Sequence, residues 1–145
     1  MSQPSHFIIE SETAMEAFGA KLALSCKPGD CLVLNGPLGA GKTTLVRGFL
    51  KGLGHKGIVK SPTYTLVETY NLNNQAINHF DLYRIAEPEE LEFIGWRDYF
   101  NDQAINLVEW PEKAGNFMPS PTLIIDIEIL ADDKRELMIS SRSSH

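Results

Sequence analysis

The chain has 145 residues, of which 43% are hydrophobic and 22% charged, a size and composition that predict one compact soluble domain able to fold without a disulfide or metal. Nineteen acidic residues against thirteen Lys and Arg give a net charge of −6, which argues against a stand-alone nucleic-acid-binding protein. Two cysteines and the absence of a signal peptide or of a roughly 20-residue apolar run predict a cytoplasmic protein with buried thiols.

The first third of the chain predicts a helix, a buried strand and a second helix. Ser11 or Thr13 is placed to cap the first helix, which ends before the breaker at residues 27–30. Residues 31–34 form a continuous apolar run, typical of a strand that is covered on both faces. A glycine-rich loop follows, and a second helix is predicted over residues 42–53.

The rest of the chain predicts antiparallel hairpins together with one further buried strand. The predicted elements are strands 65–70 and 76–81 around a turn at 71–75, a short helix 89–94 closed by Gly95, a strand at 104–108, and strands 122–130 and 135–140 around a turn at Asp132 and Asp133. Strand–helix units combined with hairpins predict an α/β sandwich on a mixed parallel and antiparallel sheet.

Residues 36–43, Gly-Pro-Leu-Gly-Ala-Gly-Lys-Thr, match the pattern G-x-x-x-x-G-K-[ST] between the buried strand and the second helix. Glycines let successive backbone N–H groups face phosphate oxygens, while Lys42 reaches the β- and γ-phosphates and Thr43 is placed to bind Mg²⁺. The motif predicts a P-loop NTPase-like fold that binds a nucleoside triphosphate. The predicted contacts at this loop are Gly36, Leu38, Gly39, Ala40, Gly41, Lys42, Thr43 and Thr44.

Two acidic residues at the ends of predicted strands are candidates for the metal site. Asp81 and Glu109 each follow a predicted strand, and ligands gather at the carboxyl ends of strands in open α/β sheets. On spacing alone, each also fits a solvated acid at a strand end.

Three further features have a functional and a structural interpretation. Residues 61–65, Ser-Pro-Thr-Tyr-Thr, fit either a switch near the γ-phosphate or a hydroxyl-rich turn. Trp110 fits stacking on a base, flanking of a switch, or a core or edge position. His79 fits a packed histidine better than a catalytic base.

Three function classes remain, and they differ in what else the chain must carry. A GTPase normally has Asn-Lys-x-Asp and Asp-x-x-Gly elements, and the sequence contains neither. A small-molecule kinase needs an arginine-rich lid and an acceptor pocket, for which little of the chain is left over. An ATPase whose hydrolysis drives or resets a partner protein fits the length best.

Four blocks resemble the bacterial TsaE family in order and spacing, and they lie at residues 36–44, 61–67, 79–84 and 108–112. The likeness covers nearly the whole chain and thins after about Asn116. It implies an ATPase that works with TsaB and TsaD to make threonylcarbamoyladenosine on the tRNA adenosine beside the anticodon. It also implies indirect contact with tRNA. No contact with a membrane is expected, because no stretch approaches the roughly 20 apolar residues that span a bilayer. A nucleotide-gated assembly subunit, in which ATP occupancy matters rather than hydrolysis, is the alternative.

The resemblance also implies roles for individual residues. Lys42 would contact the phosphates, and Thr63 would sense the γ-phosphate. Asp81 would act either as a metal ligand or as the group that orients the attacking water. The implied Mg²⁺ ligands are Thr43, Asp81 and Glu109, and the implied residues beside the nucleotide are Glu12, Thr13 and Trp110.

Two positions stand apart from these roles. Pro37 occupies a place where relatives commonly have an acid, although we expect the backbone cradle to survive there. Arg84 fits either an arginine finger or an exposed structural arginine.

The hairpins and residues 89–100 are candidates for the partner-binding face.

Overall fold

The computed structural model describes residues 4–62 and 65–141, and a seven-stranded mixed sheet lies at its centre. The strands are β1 (Ser5–Ile9), β2 (Cys31–Asn35), β3 (Val67–Leu72), β4 (Gln75–Asp81), β5 (Ile105–Glu109), β6 (Leu123–Ile129) and β7 (Arg135–Ser141). The helices are α1 (Glu12–Ala23), α2 (Lys42–Gly52) and α3 (Trp96–Tyr99), with short 3₁₀ helices at Pro88–Ile94, Pro111–Phe117 and Ala131–Asp133.

The strand order is β1-β7-β6-β2-β5-β4-β3. Strand β2 is parallel to both β5 and β6, and β4 is parallel to β5. The pairs β1–β7, β6–β7 and β3–β4 are antiparallel. The predicted α/β fold with a mixed sheet is therefore confirmed.

Successive residues of β2 enter two different cores. Leu32 and Leu34 pack in the core that contains residues of α1 and α2. Cys31 and Val33 pack on the opposite face, in the core that contains residues of the short helices. Because both faces of β2 are covered, its sequence is apolar throughout, as the continuous run predicts.

Helices α1 and α2 pack closely against each other because glycines line their contact. A Cβ added at Gly19 would overlap the carbonyl oxygen of Leu45, and one added at Gly48 would overlap that of Glu16. The Glu16 carboxylate accepts hydrogen bonds from Arg47 and Lys51 of α2, at 3.1 and 3.0 Å. Glu16, in the first half of α1, is thereby held beside the middle and the last turn of α2.

Several predicted boundaries were wrong by a few residues. The third strand begins at Val67 rather than residue 65, because Leu66 has a left-handed backbone with φ 67° and interrupts the strand. The turn after it comprises Asn73 and Asn74, both with positive φ, rather than residues 71–75.

Other local features were either left open or not predicted. Ser11 caps α1 by accepting from the Ala14 N–H at 3.0 Å, so Thr13 lies inside the helix. Strand β1 and the short helices Trp96–Tyr99 and Pro111–Phe117 were not predicted. Over residues 4–62 and 65–141, no helix has the length and apolar character required to cross a membrane.

Candidate functional site

The loop of residues 36–43, here called the phosphate loop, has the backbone geometry of an anion cradle. Gly39 and Gly41 have φ of 79° and 105°, a region that side chains disfavour. A Cβ on Gly36 would lie 2.8 Å from the Ile127 carbonyl oxygen. Helix α2 begins directly after Gly41, which has no side chain to cap the first turn. The N–H groups of that turn are therefore available to an anion.

Lys42, the first residue of α2, holds its ammonium group at the phosphate loop. Its Nζ donates to the Gly36 carbonyl oxygen at 2.6 Å and lies 3.6 Å from the centre of the Trp110 ring. The residue is only 5% exposed, and this desolvation lowers the Lys42 pKa, while Glu109 and Asp81 oppose the shift. A phosphate arriving here would meet a poorly hydrated cation.

Glu109, at the end of β5, is buried in a hydrogen-bonded chain that reaches the phosphate loop. Its Oε2 accepts from Thr43 Oγ1 at 3.2 Å and from His79 Nε2 at 2.7 Å. A carboxylate oxygen without a proton only accepts, so His79 Nε2 is the donor to such an oxygen of Glu109. His79 is fully buried, and its Nδ1 has no hydrogen-bond partner within the described parts of the chain.

The sheet register brings the two predicted acids together. Strands β4 and β5 run parallel with Asp81 opposite Glu109. Burial and the neighbouring Glu109 charge raise the Asp81 pKa, and the Tyr83 backbone N–H, which donates to Asp81 Oδ1 at 3.1 Å, opposes this. Two carboxylates at adjacent strand ends create a site that a cation would stabilise.

A cavity of about 420 Å³, here called the phosphate cavity, contains most of the predicted site residues. Besides loop and helix residues 38–44, it is lined by Glu12, Ser61, Asp81, Tyr83, Glu109 and Trp110. A flanking cavity of about 410 Å³ shares Glu12 and Thr44 with it and is also lined by Ser11, Met15 and Arg135.

Three predicted site residues are not among those that line the phosphate cavity. Gly36 contributes its carbonyl oxygen to Lys42 instead. Thr13 is exposed on α1 and lines neither cavity. Thr63 lies outside the described residues. Arg84 lines a smaller cavity beside the phosphate cavity, together with Leu38, Asp81 and Tyr83.

The donor set around Thr43 suits Mg²⁺ held together with a nucleotide. Within residues 4–62 and 65–141, no group of three or more His, Cys, Asp and Glu side chains could hold a metal by itself. Mg²⁺ characteristically keeps several waters and takes one or two carboxylates plus substrate phosphates. Thr43, Asp81 and Glu109 provide one hydroxyl and two carboxylates at the phosphate loop, which fits that pattern.

Sequence reasoning missed two residues that support this site. His79 was interpreted as a packed histidine, and it is packed, but it also bonds Glu109. Arg135, at the start of β7, donates to the carbonyl oxygens of Gly39 and Ala40. His79 begins the block at residues 79–84, but only the pairing of β4 with β5 reveals its bond to Glu109. Arg135 lies in no recognisable motif, and only the position of β7 reveals its contact with the loop.

The two cysteines lie away from the phosphate cavity and behave as ordinary thiols. Neither forms a disulfide, and burial raises the pKa of both Cys26 and Cys31 to about 12. Such thiols are poor nucleophiles near neutral pH.

Comparison with known proteins identifies the family. The model of a family described as "Threonylcarbamoyl adenosine biosynthesis protein TsaE" matches residues 9–137. The chain belongs to the TsaE family.

Relatives in this family match along most of their length. The tRNA threonylcarbamoyladenosine biosynthesis protein TsaE of Haemophilus influenzae is 49% identical over 141 residues, covering 94% of this chain and 89% of the relative. The protein of the same name from Bacillus subtilis is 43% identical over 123 residues, covering 84% and 77%. The crystal structure of Bacillus subtilis YdiB superimposes with a TM-score of 0.84 at 33% identity, covering 99% of this chain and 88% of that one.

Proposed function

We propose that this TsaE-family chain binds and hydrolyses ATP with Mg²⁺ and, together with TsaB and TsaD, supports the synthesis of threonylcarbamoyladenosine on tRNA. The names of the relatives support the pathway. The observation that supports the chemistry is the convergence of Lys42, Thr43, Asp81 and Glu109 on one cavity at the end of a glycine loop.

Binding of the triphosphate would use the phosphate loop and the start of α2. The backbone N–H groups of Gly41 and of the first turn of α2 would surround the phosphate oxygens, and the positive end of the α2 dipole would add to their field. Lys42 would exchange its contacts with Gly36 and Trp110 for the β- and γ-phosphates. The flanking cavity, lined by Glu12 and Met15, offers room for the nucleoside.

The two carboxylates would have different tasks because they have different surroundings. Glu109 is fixed by His79 and Thr43, which suits a group that orients Mg²⁺ or its waters. Asp81 is less tightly bonded and faces the cavity, which suits a group that positions the attacking water. When bound, Mg²⁺ would supply neutralisation of the charge on the phosphate oxygens.

Hydrolysis by the isolated chain should be slow. Of the residues described, no arginine lines the phosphate cavity, so the loop and Lys42 would supply the positive charge from this chain. P-loop hydrolases without an arginine finger turn over slowly and accelerate greatly when one is supplied. We expect TsaB and TsaD to accelerate or reshape turnover.

Reconstituted tRNA modification tests this proposal. TsaB, TsaD, tRNA and ATP should yield repeated rounds of threonylcarbamoyladenosine formation only when this chain is present. Equal product with and without the chain would refute the proposed role. The ATPase rate of the chain should also rise on addition of TsaB and TsaD.

An Asp81→Ala variant separates hydrolysis from occupancy. The variant keeps the phosphate loop and Lys42, so it should bind ATP but fail to hydrolyse it. Loss of multiple rounds in the reconstituted reaction supports hydrolysis as the essential step. Wild-type rounds with a variant shown to be hydrolysis-dead would instead establish the nucleotide-gated assembly subunit.

A further inference from the structure

Arg135, at the start of β7, contacts the phosphate loop from the flanking cavity. Its Nε donates to the Ala40 carbonyl oxygen and its Nη2 to that of Gly39, both at 3.1 Å. Its Nη1 donates to the carbonyl oxygens of Asp133 and Lys134, at 3.0 and 3.3 Å. The guanidinium is thus fixed to the β6–β7 turn at one end and to the phosphate loop at the other.

These contacts determine which way two peptide groups of the phosphate loop face. In a planar trans peptide the C=O and N–H bonds point in opposite directions, and the described residues contain no cis peptide. Because the Ala40 carbonyl faces Arg135, the N–H of Gly41 faces away from Arg135. In the same way the N–H of Ala40 faces away, and it donates to the Pro37 carbonyl oxygen at 3.1 Å.

The loop needs such a contact because its own sequence leaves it free to turn. Gly39 and Gly41 have positive φ, and a Cβ added at Gly39 would have no neighbour within 4 Å. Packing therefore restrains Gly39 little, and glycine has the widest backbone freedom of any residue. A planar guanidinium with several fixed donors can orient two adjacent carbonyls, which a single ammonium group cannot do as well.

We propose that Arg135 is a positioning residue that holds the phosphate loop in its anion-binding conformation before any nucleotide arrives. Arg135 lines the flanking cavity but not the phosphate cavity, so it acts through the loop backbone rather than on the phosphates. The link to nucleotide affinity rests on the proposed function, whereas the effect on the loop does not.

The test compares Arg135→Met and Arg135→Lys with a neighbouring control. Lys134→Met removes an adjacent positive charge whose Nζ lies 3.8 Å from a Glu10 carboxylate oxygen, and among the described residues this ammonium group has no hydrogen bond to the phosphate loop. Two measurements are made on each protein: hydrogen exchange of the amides of residues 38–44 without nucleotide, and calorimetric titration with ADP in EDTA. Urea unfolding of each variant reports its global stability.

Arg135→Met should accelerate exchange of the Ala40 amide, which donates to the Pro37 carbonyl oxygen, and weaken ADP binding by roughly tenfold, with no comparable change in the amides of β2 and β5. Arg135→Lys should recover part of both effects, and Lys134→Met should match wild type. If Arg135→Met destabilises the whole fold, Arg135→Gln, which keeps one donor nitrogen, replaces it. Wild-type loop exchange in folded Arg135→Met, or in Arg135→Gln where it replaces Arg135→Met, would overturn the inference.

The two proposals can fail separately. A wild-type protein that binds neither ADP nor ATP, while loop exchange still rises in Arg135→Met, would refute the proposed function and leave the positioning role supported. Normal nucleotide binding by wild type and by folded Arg135→Met, with unchanged loop exchange, would refute the positioning role alone.

Discussion

Replacing Lys42 by alanine should weaken ATP binding by about a thousandfold while leaving the fold intact. In the nucleotide complex the ammonium would meet two phosphates, each contributing about 4 kcal/mol at a separation of roughly 4 Å and an effective dielectric constant of about 20. Without nucleotide, Lys42 instead makes a charged hydrogen bond to Gly36 and a cation–π contact with Trp110. Those contacts together contribute about 4 kcal/mol.

The difference, about 4 kcal/mol in favour of the complex, corresponds to about three powers of ten in Kd. Isothermal titration with a non-hydrolysable ATP analogue and Mg²⁺ measures it directly. Lys51→Ala is the matched control, because Lys51 lies on the same helix but pairs with Glu16 at 3.0 Å. The thermal unfolding temperatures of the two variants without nucleotide should differ little. Lys42→Ala loses the contacts with Gly36 and Trp110, but it also removes the desolvation cost of a buried charge, which offsets that loss. An affinity within threefold of wild type would refute the reasoning.

Three further predictions concern the groups around the site. His79→Leu removes the donor to Glu109 and should weaken the Mg²⁺-dependent part of ATP binding by about tenfold. His79→Gln should retain most of that binding. Titrations with Mg²⁺ and with EDTA measure the Mg²⁺-dependent part in each variant. Asp81→Asn should raise the free energy of unfolding at pH 7 in EDTA, because the Asp81 pKa is raised above 3.8 in the folded state and its ionisation opposes folding. This gain should shrink as the pH falls through the raised pKa towards 3.8, and urea curves showing a gain that grows instead would contradict it. Gly48→Ala would press a methyl group onto the Glu16 carbonyl and should lower the free energy of unfolding by about 3 kcal/mol; a wild-type urea midpoint would contradict the glycine contact.

The parts of the fold that could be predicted were those with a strong local signal. The apolar run of β2, the glycine loop and the amphipathic helix after it each carry their own pattern, and all three are confirmed. Strand β1 carries no such pattern, since four of its five residues are exposed and it lies at the sheet edge beside β7. The start of β3 was misplaced because Leu66 adopts a left-handed backbone, a conformation that a leucine in the sequence does not predict.

The residues of the candidate site also differ in how far the sequence alone could predict their positions. Lys42 and Thr43 belong to a contiguous motif, so their position follows from local sequence alone. Asp81 and Glu109 could be proposed as strand ends, but their juxtaposition depends on β4 pairing with β5 in parallel. Arg135 could not be predicted, because a single arginine in an edge-side hairpin resembles any surface arginine until the path of β7 is known.

The contact between Arg135 and the phosphate loop bears on the order in which the molecule is made. Arg135 lies 95 residues after Ala40, so a ribosome completes the loop long before it adds the guanidinium that orients it. Strands β5 and β6, which flank β2, are also synthesised in that interval. A nascent chain would therefore carry the glycine loop without its hydrogen-bonding support, and competence for the nucleotide would be acquired late in translation.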